Sequence, residues 1–166
     1  MKLKTHYAFS TGLLALIDSA FYHNIFAMLV FIGVLSILAN ALIDKIGHEM
    51  VTTKNGYTFP RRTPLTHTIP RSILWGFLVT IPFIALFYYV LPFTTFTKYL
   101  GLLVLDGIIV GPSHMLLDVF TEKGIYVKRD GKWQRFALAH FRYNDPIANG
   151  LAGLLGVIMI FIAISH

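Results

Sequence analysis

The chain has 166 residues, of which 55% are hydrophobic and only 13% are charged, and its mean hydropathy is +0.65. A soluble domain of this size carries about 25% charged residues, so lipid is the solvent that better fits this composition. The absence of cysteine excludes disulfides, thiolate nucleophiles and cysteine-based zinc sites. The net charge of +6 comes from basic residues next to apolar runs. This indicates membrane topology, and no nucleic-acid partner is expected.

Apolar stretches dominate the chain from end to end. They cover residues 8–22, 25–43, 72–91, 99–120 and 146–165. A helix that crosses a membrane needs roughly 17–25 residues, so the last four stretches are long enough and the first is marginal. We therefore predict a single integral membrane domain over residues 1–166, an all-α polytopic bundle of about five helices with two long loops.

The basic residues are concentrated on one side of this predicted bundle. All Lys and Arg except Lys98 lie at the N-terminus or in the long connections 44–71 and 121–145. The positive-inside rule then predicts that the N-terminus and both loops are cytoplasmic and that the C-terminus lies outside. Each loop also contains a pair that favours a tight turn and a small hairpin, Asn55-Gly56 and Asp130-Gly131.

The fifth apolar stretch has a face of small residues. Ala148, Ala152 and Gly156 follow one another at four-residue spacing. Small residues at that spacing let two helices approach closely in lipid. We predict that this face packs inside the bundle, the alternative being that it faces lipid by chance.

Histidine and aspartate side chains gather at the predicted cytoplasmic ends of the helices. Asp44 and His48 are four residues apart, as are His114 and Asp118, and such a pair shares one face of a helix. A pair of this kind can ligate a metal ion, or combine a ligand with the carboxylate that orients it. The pattern predicts a metal or acid–base site, against the alternative that each histidine is an ordinary interfacial residue. The same layer contains His6, Asn40, His67 and His140.

Two further aspartates, Asp18 and Asp106, lie deeper in the predicted membrane or towards its far face. We expect both to be structural and to pair with a donor inside the bundle, and His23 is a candidate donor for Asp18. His23 and His166 are the two histidines that the predicted topology places on the far side.

Three segments of the sequence resemble one family. The first is Lys4-Thr5-His6, which opens an apolar helix. The second is RTPLTHT at residues 62–68, and the third is GPSHMLLDVFT at residues 111–121, followed by Gly124. Together they resemble the membrane-bound, predicted metal-dependent hydrolases of the LexA-regulated inner-membrane type, and more narrowly a small archaeal and archaeal-virus branch of unknown function.

The resemblance implies a helical membrane domain that binds a divalent metal ion. Neutral imidazoles and carboxylates would hold Zn²⁺ or a similar ion. Asp44 and His48 correspond loosely to the family's Asp-x-Asp-His stretch, so they would serve as ligands or as the catalytic base. Arg62 stands where the family has a histidine, and Thr63 stands where it has an arginine. The residues that match the family's metal-binding motifs by position are His6, His67, His114 and Asp118.

The leading hypothesis from the sequence is a metal-dependent hydrolase at the cytoplasmic membrane face, acting on a lipid or phosphoester. The ion would keep one position open for water and would lower the pKa of that water towards about 7. Arg61, Arg62 and Arg71 could hold an anionic head group by bidentate contacts, or they could be ordinary positive-inside anchors.

Two alternatives stay open at this point. A non-catalytic structural or membrane-remodelling protein would use the same histidines and aspartates as a buried polar network, and its basic loops would bind anionic lipids or a partner. A proton or ion carrier, ranked last, would string polar residues across the membrane, which only Asp18 and Asp106 begin to do. The sequence does not give the metal, the substrate or the oligomeric state.

Overall fold

The computed structural model describes residues 1–22 and 25–165, except for the side chain of Ala27. His23 and His166, which the predicted topology places on the far side, lie outside the described residues. The expectation of about five helices is confirmed. They are α1 (Leu3–Ser19), α2 (Phe26–Gly47), α3 (Ile69–Val90), α4 (Phe93–Asp118) and α5 (Pro146–Ser165).

Two antiparallel hairpins lie between the helices, so the fold is largely helical but the prediction of a purely all-α class is wrong. Their turns fall at the Asn-Gly and Asp-Gly pairs, where Gly56, Asp130 and Gly131 take positive φ values of 81°, 49° and 75°. Tight hairpin turns need this left-handed backbone, which glycine adopts freely and aspartate tolerates. The strands are β1 (His48–Thr52) paired with β2 (Thr58–Arg62), and β3 (Ile125–Arg129) paired with β4 (Lys132–Phe136).

Four of the helices are long and apolar enough to cross a membrane, namely α2 from Met28 onwards, α3, α4 and α5. Their outer surfaces expose large apolar side chains such as Val30, Leu78, Ile147 and Phe161, as expected of helices that face lipid. The first helix differs from these four. It has 17 residues and packs against α2, α4 and α5, so protein surrounds much of its length.

Close backbone contact joins α1 to α5. A Cβ added to Gly12 would overlap the carbonyl of Gly156, and one added to Gly156 would overlap the carbonyl of Ala8. Ala148 and Ala152 are buried on the same face of α5. The prediction that the small-residue face packs inside the bundle is therefore confirmed, and the contact fixes the start of α5 beside the start of α1.

The helix directions bring many termini together at one end of the bundle. The N-terminal ends of α1, α3 and α5 and the C-terminal ends of α2 and α4 meet there, beside both hairpins, and we call this region the hairpin end. Hydrogen bonds tie these ends to one another. Thr5 Oγ1 donates to Asn149 Oδ1 at 2.8 Å, and Thr66 Oγ1 donates to the Ile43 carbonyl at 2.9 Å.

Candidate metal centre

Three imidazoles and two carboxyls converge at the hairpin end. His114 Nε2 lies 3.1 Å from Asp118 Oδ2 and 3.5 Å from Asp44 Oδ1. His67 Nε2 lies 3.6 Å from Asp44 Oδ1 and 3.7 Å from Asp118 Oδ2. His6 Nε2 lies 3.3 Å from Asp118 Oδ1, and its ring stacks on that of His114 with a centroid separation of 3.9 Å. The start of α1, the ends of α2 and α4, and the loop before α3 thus contribute to one cluster.

The atoms that face the centre of this cluster have no hydrogen-bond partner among the described residues. They are Nε2 of each histidine, one oxygen of Asp44 and one oxygen of Asp118. The side chains are fully buried except that of Asp44, which is 24% exposed. A buried polar atom without a partner is costly and rare. The residues form two overlapping sets, His6 with His114 and Asp118, and Asp44 with His67 and His114, and within each set the ligand atoms all lie within 4.8 Å of one another. Nitrogen and oxygen donors are the ligands that a divalent cation requires, so the residues fit a metal ion.

The tautomer of His114 is set by its neighbour Asn40. The Asn40 amide nitrogen donates to the Ser36 carbonyl at 2.7 Å and to Ser10 Oγ at 3.1 Å. Its oxygen therefore faces His114 Nδ1, at 2.8 Å, and can only accept. Nδ1 must carry a proton, so Nε2 is the ring nitrogen that is directed at the centre and that can ligate a metal once it is deprotonated.

Hydrogen bonds through a neighbouring side chain, Thr66, orient His67 in a similar way. Thr66 Oγ1 uses its proton on the Ile43 carbonyl and so accepts from His67 Nδ1 at 2.9 Å. The backbone is anchored as well, because the amide of Tyr126 donates to the His67 carbonyl at 2.7 Å. Burial lowers the pKa of His67 to about 4, so the ring is neutral at pH 7 and its Nε2 lone pair is available for a metal.

Arg62 lies behind Asp118 and is almost fully buried. Its Nη2 donates to Asp118 Oδ1 at 2.7 Å, and its Nη1 donates to the Gly124 carbonyl at 2.9 Å and to Thr121 Oγ1 at 3.3 Å. The amino group of Met1 also lies 3.1 Å from Asp118 Oδ1. The guanidinium of Arg62 therefore orients a carboxylate of the centre, and the role of Arg62 as a substrate ligand stays a prediction.

His48 lies beside the centre. Because α2 ends at Gly47, His48 is the first residue of β1 and does not continue the helical face of Asp44. Its Nδ1 lies 2.6 Å from the Asp44 carbonyl and 3.8 Å from Asp44 Oδ1. The ring is partly exposed and edge-on to His67, with centroids 5.2 Å apart.

The other two arginines considered as substrate ligands lie away from the centre. Arg61 is exposed and forms an ion pair with Glu49 across the β1–β2 hairpin. Arg71 Nη1 donates to the Pro64 carbonyl at 2.9 Å, and its guanidinium lies 5.0 Å from the centroid of the Trp133 ring. Both have local partners, so neither is brought to the cluster.

A cavity of about 510 Å³ connects the cluster to the surface at the hairpin end. Asp44 and His48 form part of its wall, so the partly exposed carboxyl is the member of the cluster nearest to solvent. The other lining residues are Met1, Lys2, Leu3, Pro60, Arg62, Lys123 and Tyr143.

Several supporting residues were not identified from the sequence. Ser10, Ser36 and Thr66 complete the hydrogen bonds that orient the histidines. Asn149 accepts from Thr5 and from the amide of Lys2, and so holds the start of α1 in place. Only Thr66 carried a signal, because it directly precedes His67 within the recognisable segment 62–68.

One family model matches most of the chain. The model described as "Protein of unknown function (DUF1286)" covers residues 1–117, a segment that includes His6, Asp44, His67 and His114. The chain belongs to the DUF1286 family. Searches of the curated proteins and of the solved structures found no match.

The description of DUF1286 names no activity, so the resemblance to metal-dependent hydrolases stays a prediction for this member of the family. Three imidazole nitrogens and two carboxylate oxygens suit zinc, and also manganese or iron in the divalent state.

Proposed function

We propose that this DUF1286 protein is a metal-dependent hydrolase that acts on a lipid or phosphoester at the cytoplasmic membrane face. The observation that supports the proposal is the set of inward-facing, unpartnered donor atoms on His6, Asp44, His67, His114 and Asp118. The surrounding hydrogen bonds satisfy the other ring nitrogens of His67 and His114, so these lone pairs are presented to the centre in a defined direction.

His6, His67, His114 and Asp118 would hold the ion. A divalent metal at this point supplies Lewis-acid chemistry, because it acidifies water and stabilises negative charge that develops on a substrate oxygen. Arg62 places a positive charge beside Asp118 and fixes its orientation through the 2.7 Å hydrogen bond.

Asp44 and His48 are the proposed acid–base groups, because both line the cavity. Asp44 can accept a proton from water at the cavity side of the cluster, or act as a further ligand. His48 is held through its Nδ1 by the Asp44 carbonyl, so its Nε2 is the atom that can exchange a proton with a leaving group.

We place the hairpin end in the cytoplasm. The N-terminal residues and both long connections carry every Lys and Arg except Lys98, and the structure gathers these segments at the hairpin end. The positive-inside rule then orients the C-terminus of α5 to the outside. A substrate would reach the cavity at the depth of the lipid head groups.

A non-catalytic structural protein is the second candidate, and one observation favours it. Arg62 and the Met1 amino group both contact Asp118, so positive charge already balances this carboxylate without a metal. That arrangement leaves the histidine Nε2 atoms without partners among the described residues, which is why we rank this candidate second.

Metal content decides between the two candidates. We would purify the protein in detergent and measure bound metal by mass spectrometry in the wild type, in the double variant His114→Ala with Asp118→Ala, and in the control His140→Asn. His140 is exposed, and its φ of 58° suits asparagine.

We expect about one transition-metal ion per chain in the wild type and the control, and almost none in the double variant. A metal-free wild type that also fails to bind added Zn²⁺, Mn²⁺ or Fe²⁺ would refute the hydrolase proposal. Turnover of lipid and phosphodiester substrates by metal-loaded protein is the second assay.

A further inference from the structure

The cavity that leads to the candidate metal centre is lined by more positive than negative charge. Lys2 and Lys123 stand at its rim and Arg62 lies deeper. The facing carboxylates are Asp44 in the cavity wall and Asp118 behind it. A divalent ion would offset those two carboxylates and leave the cations in excess, so the cavity favours an anion.

The cationic side chains that line this cavity differ in whether they already have protein partners. Arg62 already donates hydrogen bonds to Asp118 and to the Gly124 carbonyl. Lys123 is only half-buried, and its Nζ makes one long contact, 3.4 Å to the Pro60 carbonyl. Lys2 is exposed, and among the described residues neither lysine forms an ion pair with a carboxylate.

The start of α1 adds a second source of positive potential. Lys2 is the N-cap of α1, its side chain makes no capping hydrogen bond, and the helix has no acidic residue in its first turn. Met1, Lys2 and Leu3 form part of the cavity wall, so the positive end of the helix dipole faces the same space as the lysine ammonium groups.

We propose that this cavity binds the phosphate group of an anionic phosphoester, with Lys2 and Lys123 contacting its non-bridging oxygens. This rests on the proposed function, whose substrate class it narrows. The exposed Tyr143 offers a hydroxyl donor to the same group. The volume of about 510 Å³ lies within the range of small-molecule pockets, so the cavity can also take part of the organic group.

The test compares two pairs of lysine substitutions that remove equal charge. One variant combines Lys2→Gln with Lys123→Gln. The control combines Lys128→Gln with Lys132→Gln, since both of these lysines lie on the β3–β4 hairpin and outside the lining of the cavity. Binding of inorganic phosphate to each detergent-purified protein would be measured by calorimetry, both with its metal and after chelation, and metal content would be measured on the same samples.

We expect the Lys2/Lys123 variant to bind phosphate at least about tenfold more weakly than the wild type, because each lost charged contact weakens binding. The control should match the wild type, and all three proteins should contain the same metal. Equal phosphate affinity in the Lys2/Lys123 variant and the wild type would overturn the inference. The inference also fails if the wild type binds no phosphate in either metal state, or if the control loses as much affinity as the rim variant.

The outcome stays separable from that of the proposed function. A wild type that contains no metal as purified and binds no added Zn²⁺, Mn²⁺ or Fe²⁺, but still binds phosphate through Lys2 and Lys123, supports the anion site while it refutes the hydrolase. Two competitors then identify the source of the phosphate group: glycerol phosphate in solution, and phosphatidylglycerol in mixed micelles. Displacement by the lipid alone assigns a membrane head group, and displacement by both assigns the phosphate ester itself; either result supports the inference.

Discussion

Buried carboxyls occur in two regions of this bundle, and their surroundings differ. At the hairpin end, imidazole nitrogens face Asp44 and Asp118, Arg62 supports Asp118, and a cavity opens beside Asp44. Deeper in the bundle, Asp18 and Asp106 are fully buried and face each other. Among the described residues, no other group hydrogen-bonds to the oxygens of this deep pair.

The difference shows how a membrane bundle can hold acidic side chains in two ways. Two carboxyls in contact can share a proton, because two adjacent charges in a low-dielectric interior are prohibitively costly. An ionised carboxylate only accepts hydrogen bonds, so it cannot satisfy the Nε2 lone pair of a neutral imidazole such as His67, and this leaves a place for a cation. We therefore interpret the deep pair as structural and the hairpin end as the site of chemistry.

Asp118→Ala should have the largest effect, because Asp118 is both a proposed ligand and the partner of buried Arg62. We expect metal binding to be lost and the protein to be destabilised by about 3–5 kcal/mol, since an unpaired buried charge remains. Metal analysis and thermal unfolding in detergent measure the two losses. If this variant kept its metal, Asp118 would not be a required ligand, and the proposed difference between the hairpin end and the deep pair would be contradicted.

The pH dependence of stability tests whether His67 is held neutral. Burial lowers its pKa to about 4 from the ordinary value of 6.5. Between these two pH values the unfolded chain binds a proton at this ring, whereas the ring in the folded protein stays neutral. The free energy of unfolding therefore has its full value above pH 6.5 and decreases by up to about 3 kcal/mol as the pH falls towards 4.

The measurement is the melting temperature of the metal-free protein across this pH range, in the wild type and in His67→Gln. The wild type should lose more stability on acidification than the variant, because glutamine does not titrate. Parallel curves would show that burial does not keep this imidazole neutral.

Thr66→Val tests whether the hydrogen bond behind His67 matters to the metal. Valine has nearly the same shape but cannot accept from His67 Nδ1, so the ring loses the partner that fixes its tautomer. Metal affinity should fall by about 10–100-fold, measured by competition with a chelator. Thr97→Val is the matched control, because Thr97 is exposed on α4; an equal change in both variants would contradict the proposed role.

Asp106→Asn should have the smallest effect. The new amide can donate to Asp18 in place of a shared proton, so we expect unchanged metal content and a stability within about 1 kcal/mol of the wild type. Thermal unfolding and metal analysis are again the readouts. Loss of metal from this variant would mean that the deep pair and the hairpin end work as one unit.

The fold was largely readable from the sequence because it rests on local properties. Hydropathy over some twenty residues identifies each helix that is long and apolar enough to cross a membrane, and Asn55-Gly56 and Asp130-Gly131 mark the two turns. The all-α prediction failed because strands of five residues are too short to stand out from the loops around them. The turn residues alone carried that information.

The candidate site was readable only in part. The spacing of His114 and Asp118 fixed their common face on α4, since an intact helix spans both residues. The same spacing did not apply to Asp44 and His48, because α2 ends between them. Motif resemblance singled out His6 and His67, but it carried no information on the direction of their ring nitrogens.

The sequence by itself determined that this protein is built of membrane-compatible helices and that a tight turn lies in each of its two long connections. It also determined that histidine and aspartate residues lie near the helix ends. Only the tertiary structure decided which of these residues meet. It turned Arg62 inward to Asp118, left Arg61 on the surface, and set Asp18 against Asp106. The reason is physical: periodicity fixes neighbours within one helix, whereas contacts between helices depend on how each one rotates and slides against the others.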